Sequence, residues 1–227
     1  RQMEWNLKKM GMLMYMTDEL LQDSTALGAV MQMGASEEAA FMVDDSIFRG
    51  TGAGQLQGIM NAVAKIAVAA EAGQTTAEIL VENVFKMWSR MWAKSRMNAA
   101  WYINQDIEPA LFGMTFPVGT GGQPVYLPPG GVNQSPYATL MGRPVIPTEF
   151  NSTLGVEGDI AFFDLKQYLM VDKGGLQQAS SIHVQFLTDQ TAFRWIYRVD
   201  GQSLWHQALT PYQGTNTLSP FITLASR

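Results

Sequence analysis

The chain has 227 residues, 47% of them hydrophobic but only 15% charged, against roughly 25% charged in a usual domain; that length admits one generous core or two modest ones. A formal net charge of −5 argues against a sequence-reading nucleic-acid binder, which needs a basic face to neutralise phosphates. The absence of cysteine excludes disulfides, thiolate metal sites and cysteine nucleophiles, and is compatible with a reducing cytosol.

No run reaches the roughly 18 apolar residues of a membrane span, and the N-terminus lacks the basic-then-apolar layout of a signal peptide, so no membrane partner is expected. Few charges, fifteen Met and six Trp then point to surface hidden against copies of the same chain, where interfaces lose charge and gain Met and aromatics. The chain opens on Arg1 rather than Met, so an N-terminal portion removed by processing or by choice of fragment is expected.

From Met3 to Leu13 the odd positions Met3, Trp5, Leu7 and Leu13 are apolar while Glu4, Asn6 and Lys8 alternate with them, the period of a strand. Met10 to Met16 is apolar on both faces, as in a strand sandwiched between layers or subunits. Asp18 to Ser24 reads as a short helical turn, with Ser24 or Thr25 capping a longer helix from Thr25 to about Phe48. Leu27, Val30, Met31, Phe41 and Met42 anchor that helix, alanines keep it shallow, and Gly50 is expected to end it through a positive φ.

After the Gly-rich connection from Gly50 to Gly58, a strand is predicted at Ile66 to Ala69 and a second helix from Ala77 to about Ser95. At about 100° per residue, Leu80, Val81, Val84, Phe85, Met87, Trp88, Met91 and Trp92 share its apolar face, and Lys86, Arg90 and Lys94 line the other. A strand at Ala99 to Ile103 and a short helix at Asp106 to Phe112 follow. From Phe116 to Ser135, Gly and Pro cluster into a projecting loop with a small hairpin. Further strands are expected at Pro144 to Ile146, Ile160 to Phe163, Tyr168 to Val171 and Ile182 to Leu187. Asp200-Gly201 between alternating runs predicts a hairpin that sets Phe193, Trp195 and Tyr197 against Leu204, His206 and Ala208. Helices and separated antiparallel strands make the fold class α+β.

Chemical candidates are few. Gly50-Thr51-Gly52-Ala53-Gly54-Gln55 lacks the Lys-Ser or Lys-Thr of a phosphate cradle and reads as a turn. Glu37, Glu38, Asp44 and Asp45 point to different helix faces and read as a solvated or interface-lining surface rather than a metal site. His183 is placed on the surface and His206 within the aromatic face of the hairpin, neither as a general base. Lys86, Arg90 and Lys94 read as a solvated face, or one that meets acidic groups of a neighbour, because Trp88 and Trp92 belong to the buried arc. Glu157 and Asp159 are the pair a carboxylate-dependent hydrolase would use. No catalytic, cofactor-binding or metal-binding residue is nominated, and no cofactor.

The order of these signals resembles the major capsid proteins of tailed phages, whose fold takes its name from the Hong Kong ninety-seven phage. The likeness rests on Asp18 to Ser24 leading into the long helix, on Phe48 to Asn61 (FRGTGAGQLQGIMN), on Leu140 to Thr148 (LMGRPVIPT), on Gly158 to Asp164 (GDIAFFD) and on Arg198-Val199-Asp200-Gly201. It implies a discontinuous peripheral domain over residues 1–62 and 168–210, holding a spine helix and long antiparallel strands, and an axial domain of mixed α and β over 63–167 and 211–227. It also implies that the N-terminal arm and extended loop of the family precede the strand containing Trp5, too early for a chain opening at Arg1 to hold them in full. Some relatives form a lysine-to-asparagine crosslink assisted by a glutamate; the matching late-strand positions here are Arg194 and about Gly201, so that bond is not expected.

The function implied is that of a major capsid protein of a tailed double-stranded DNA phage or prophage, a virion component assembled in the bacterial host cytoplasm. Its partners would be its own copies in hexamers and pentamers of an icosahedral shell, a scaffold or maturation protease, a portal, and enclosed DNA held without sequence preference. An encapsulin-type nanocompartment shell is the alternative within the fold, and the hydrolase is the alternative outside it.

Overall fold

Two apolar periodicities alternate along the chain, and the secondary structure follows them. The computed structural model describes residues 3–23, 26–76, 78–116, 123–126 and 139–227. In chain order it forms β1 (Lys8–Thr17), α1 (Asp18–Asp23), α2 (Leu27–Arg49), β2 (Ile66–Val68), α3 (Val81–Arg90), β3 (Ala100–Asn104), α4 (Glu108–Gly113) and β4 (Thr115–Phe116). There follow β5 (Gln123–Pro124), β6 (Thr139–Leu140), β7 (Arg143–Thr148), β8 (Ile160–Phe163), β9 (Tyr168–Asp172), β10 (Gln177–Gln185), β11 (Gln190–Ser203) and β12 (Phe221–Leu224). The chain divides into two compact units, one of residues 1–58 and 169–202, the other of 59–168 and 203–227.

In the first unit β11 is flanked by β1 on one side and by β10 and β9 on the other. Antiparallel register places Met12 opposite Trp195 and Met14 opposite Phe193. Because side chains alternate across a strand, Met12, Met14 and Met16 then lie on the face that carries Trp195. That face is covered by α2, whose Met31 and Ala35 join Trp195 in a small core ringed by Leu21, Leu27, Leu176 and Phe193. Ala35 brings the helix close, and the unbranched methionines fill the uneven gap beneath it.

The second unit is built on a six-stranded mixed sheet in the order β2, β12, β8, β3, β7, β6. β8 and β12 are buried along their whole length, which explains why Ile160 to Phe163 reads as a continuous apolar run; β12 is not among the strands expected from the sequence, and buries Thr223 among its apolar residues. α3 lays Val81, Val84, Met87 and Met91 on this sheet, against Ile66, Trp101, Phe162 and Ile222. Asn83 Oδ1 accepts from Leu80 N at 3.0 Å and from Gln74 Nε2 at 2.8 Å, fixing where the helix starts. α4 contributes Leu111, and the residues before it Ile107, to the same core.

Several expectations are corrected. The short helix, β3, β8 and β9 fall where expected, but α3 is shorter than 77–95 at both ends, and Phe85 is exposed rather than on the buried face. In β1 the buried face is the even one, so Leu13 is exposed. Val30 and Phe41 on α2 are also exposed. The strand expected at 182–187 is instead the end of β10, which stops at Gln185 and gives way to a short 3-10 turn over Phe186–Thr188. The proposed caps Ser24 and Thr25, and most of the loop from 116 to 135, lie outside the described residues; within it β4 and β5 pair antiparallel.

Asp200-Gly201 is not a hairpin turn: β11 runs straight through it to Ser203. The Asp200 carboxylate instead accepts from Asn6 N at 2.8 Å and Gly201 N at 2.9 Å, with Lys8 Nζ at 3.6 Å, so it anchors the chain entering β1. The hairpin expected to set Phe193, Trp195 and Tyr197 against Leu204, His206 and Ala208 is therefore not formed, and His206 is exposed.

Gly50 does follow α2, but at φ −52°, ψ 140°, which any residue can adopt. Its reason is space: a Cβ there would lie 2.2 Å from the Leu56 carbonyl oxygen and 2.4 Å from that of Ser46. The loop folds back so tightly that Gly58 N donates to Gly50 O at 2.7 Å, and Gln57 N then donates to Gly201 O on β11 at 2.9 Å. Gly50→Ala is expected to destabilise this unit by about 1–3 kcal/mol through overpacking against backbone that cannot yield, read as a lower urea midpoint.

Candidate assembly surfaces

Several of the chemical candidates are held by structural partners. Asp159 and Glu157 are held by separate partners. The Asp159 side chain is fully buried, accepts from Ile160 N at 2.7 Å and Gly155 N at 3.0 Å, and is clasped by the Arg227 guanidinium. Glu157 pairs with Lys65 Nζ at 2.5 Å. Each carboxylate thus faces its own cation.

The three cations of α3 and its C-terminal extension each meet a group within their own unit. Lys86 Nζ lies 2.6 Å from Glu71, Arg90 donates to Thr217 O and Oγ1 at 2.7 Å each, and Lys94 Nζ sits 5.5 Å from the Trp92 ring centroid. Glu37, Glu38 and Asp44 are exposed on α2, as is His183 on β10. Among the described residues no group of three His, Cys, Asp or Glu is placed to hold a metal ion, and no helix is long and apolar enough to cross a membrane. The Gly50 to Gln55 segment is a turn bridged at Thr51 and Gln57.

Two phenols, those of Tyr102 and Tyr197, are displaced upward, each chiefly by burial. Burial, and then the Asp164 carboxylate, push the Tyr102 hydroxyl above the usual phenol range. The unfolded chain sheds this proton near pH 10 while the folded chain keeps it. The associated stability is therefore whole below about pH 10 and is lost as pH rises through the raised folded value. Tyr102→Phe is expected to flatten that limb of an alkaline unfolding profile.

What the surface offers instead is apolar and weakly balanced. In the first unit, Leu13 and Tyr15 stand on the sheet face away from α2, and Ile182, Val184, Phe186 and Leu187 are exposed at the end of β10. On that same open face Lys9 is directly opposite Arg198, a like-charge cross-strand pair that is unfavourable in an isolated sheet. In the second unit Val63, Met97, Val156 and Tyr212 are exposed. Ile182, Val184 and Phe186 alternate as the residues of a buried strand face would, yet all three are exposed. The visible signal was the absence of any Asp, Glu, Lys or Arg from Gln177 to Thr188.

Residues 1–214 match the sequence profile described as the phage capsid family. The chain belongs to the phage capsid family. This capsid-family chain is a major capsid protein, a structural component of a virion capsid. It is similar to the capsid of an empty GTA particle, with a TM-score of 0.75 at 18% identity over 98% of this chain and 74% of that one. It is also similar to a chain of Gordonia phage Cozz, with a TM-score of 0.64 at 12% identity over 98% and 71%. The holo-SrpI encapsulin complex from Synechococcus elongatus PCC 7942 gives a TM-score of 0.60 at 11% identity over 96% and 73%. At these identities the likeness is one of fold. No curated protein shows significant similarity to the capsid-family sequence.

Proposed function

We propose that copies of this chain join edge to edge into hexamers and pentamers of an icosahedral shell, which encloses the double-stranded DNA of a tailed phage or prophage. The family match over residues 1–214 carries this reading. It is supported by the low charge content and by the apolar side chains left uncovered on both units. Single contacts of modest strength, repeated over a closed lattice, then resist the pressure of a packaged genome. In this reading the unit of 1–58 and 169–202 is the peripheral domain and that of 59–168 and 203–227 is the axial domain. A scaffold or maturation protease and a portal act as partners, assembly takes place in the host cytoplasm, and no residue has a catalytic role.

Similarity to an encapsulin favours one second reading, a nanocompartment around a protein cargo. Adjacent portal, protease and terminase genes accompany the first, an adjacent peroxidase or ferritin-like gene the second. Electron microscopy of the full-length product expressed with its genomic neighbours is expected to show closed particles containing DNA. Particles filled with protein would select the compartment, and a chain that stays monomeric at every concentration would overturn both.

A further inference from the structure

Charge in the unit of residues 1–58 and 169–202 is segregated between two faces. On one side α2 exposes Glu37, Glu38 and Asp44. On the sheet face away from α2 stand Lys9, Arg194 and Arg198, also exposed, because odd positions of β1 share that face with even positions of β11. Lys9 is directly opposite Arg198. On the other flank Lys173, exposed just past β9, donates its N–H to Arg198 O at 3.0 Å. Three cations thus follow one another across the sheet, and Arg194 lies about 13 Å along β11 from Arg198 at about 3.3 Å per residue.

Among the described residues, Lys9, Lys173, Arg194 and Arg198 have no ion pair or side-chain hydrogen bond, whereas Lys8, Lys65, Lys86, Arg90, Lys166 and Arg227 each have one. No carboxylate neutralises them. The residues paired with β11 here, on β1 from Lys9 to Thr17 and on β10 from Gln177 to Ser181, include no Asp or Glu. Asp200, next in the row after Arg198, already accepts from Asn6 N and Gly201 N with Lys8 Nζ beside it. Asp172, the one carboxylate of β9, acts on Tyr197, whose parity is that of the α2 face. A charged guard against edge pairing accounts for Lys9 on the edge strand β1. It does not account for Arg194 and Arg198, which sit on β11 inside the sheet. Like charges set opposite one another cost stability in an isolated sheet, so this row suits an anion from outside the subunit.

Resting on the shell reading above, we infer that this basic sheet face lines the inside of the shell and takes the phosphate backbone of the enclosed double-stranded DNA. Subunits joined edge to edge leave two broad faces, one outward and one inward, and of the two the sheet face is the one that complements a polyanion. The same face of a second copy would repel it. Duplex DNA carries one negative charge per about 1.7 Å of its axis, so cations about 13 Å apart find phosphates at any register, and contacts of this kind read no sequence. Screening over about 8 Å at physiological salt makes the local charge of a face, not the chain's net −5, what a polymer held against it meets.

The test compares full-length particles filled with DNA and the same particles emptied of it. A small amine-acylating reagent, with mass spectrometry reading each site, is expected to modify Lys9 and Lys173 at least fivefold more slowly in the filled particles, relative to the mean of the other lysines. Arg194→Gln combined with Arg198→Gln is expected to assemble and fill, and to lose at least half of the protection at Lys9. The melting temperature of its unassembled subunit should be unchanged or raised, since Lys9 no longer faces Arg198. If this variant does not fold, the wild-type comparison decides alone. Equal modification of Lys9 and Lys173 in filled and emptied particles would overturn the DNA contact and leave the shell reading intact. Slow modification in both would assign the face to a neighbouring copy or another shell protein, and equally overturn it. So would a folded variant that keeps full protection at Lys9. Wild-type subunits that never assemble, or that enclose protein instead of DNA, would overturn the shell reading and this contact together.

Discussion

Arg227→Ala is expected to destabilise the unit of 59–168 and 203–227 by about 3–5 kcal/mol, read as a fall in its urea midpoint at unchanged slope. Both partners of the Arg227–Asp159 pair have fully buried side chains, and both guanidinium NH2 groups donate to the carboxylate. Two backbone N–H groups complete the Asp159 shell, so the carboxylate is satisfied only while the guanidinium remains. β12 delivers the cation: Ala225 N donates to Val68 O at 2.8 Å and Arg227 N to Gly155 O at 3.0 Å, which leaves the side chain little freedom to lose on pairing. Arg227→Lys keeps a charge but gives up the planar two-pronged geometry, so an intermediate loss is expected. The double change Asp159→Asn with Arg227→Met removes both charges at once and should recover much of the single-variant loss, because the main penalty is a charge buried alone.

The elements legible in the sequence are those whose residues are buried by near neighbours. Ile160 to Phe163 and Ala100 to Asn104 are short apolar runs with one available burial mode, and both were visible from residue type alone. α3 was visible through Val84, Met87, Trp88 and Met91. Its ends were not, because they depend on Asn83 bonding Leu80 and on Ser219 N donating to Arg90 O across the fold.

The misread positions share one cause, a distant partner that outweighs local preference. Asp200-Gly201 has the chemistry of a tight turn, yet its carboxylate is held by the backbone of Asn6, 194 residues away in sequence. Gly50 has the position of a helix-ending left-handed residue, yet it is needed for the close approach of Leu56. In β1, Met10 to Met16 is apolar at both parities, so only register with β11 decides that Leu13 turns outward. The exposed apolar surface was half legible for a related reason. Ile182, Val184 and Phe186 have the alternation of a buried face, but among the described residues they stand exposed.

Trp101→Ala should have an effect as large as the loss of Arg227, about 3–5 kcal/mol, for a different reason. Trp101 is fully buried at the centre of the six-stranded sheet, with its ring 4.2 Å from that of Phe162 at an interplanar angle of 15°. Phe162 in turn stacks on Trp88 of α3 at 5.4 Å and 21°, so three rings couple β3, β8 and the helix. Removing the middle strand's indole opens a cavity that the rigid strands on either side cannot close. The indole Nε1 also donates to Leu140 O at 2.9 Å, tying β3 to β6 across β7. Trp101→Phe separates the two contributions: it retains most of the stacking and leaves the Leu140 carbonyl without this donor, for an expected loss of about 1–3 kcal/mol. Thermal unfolding of the two variants should therefore rank wild type above Trp101→Phe above Trp101→Ala. Equal losses from both would show that the hydrogen bond, not the packed ring, holds this part of the sheet.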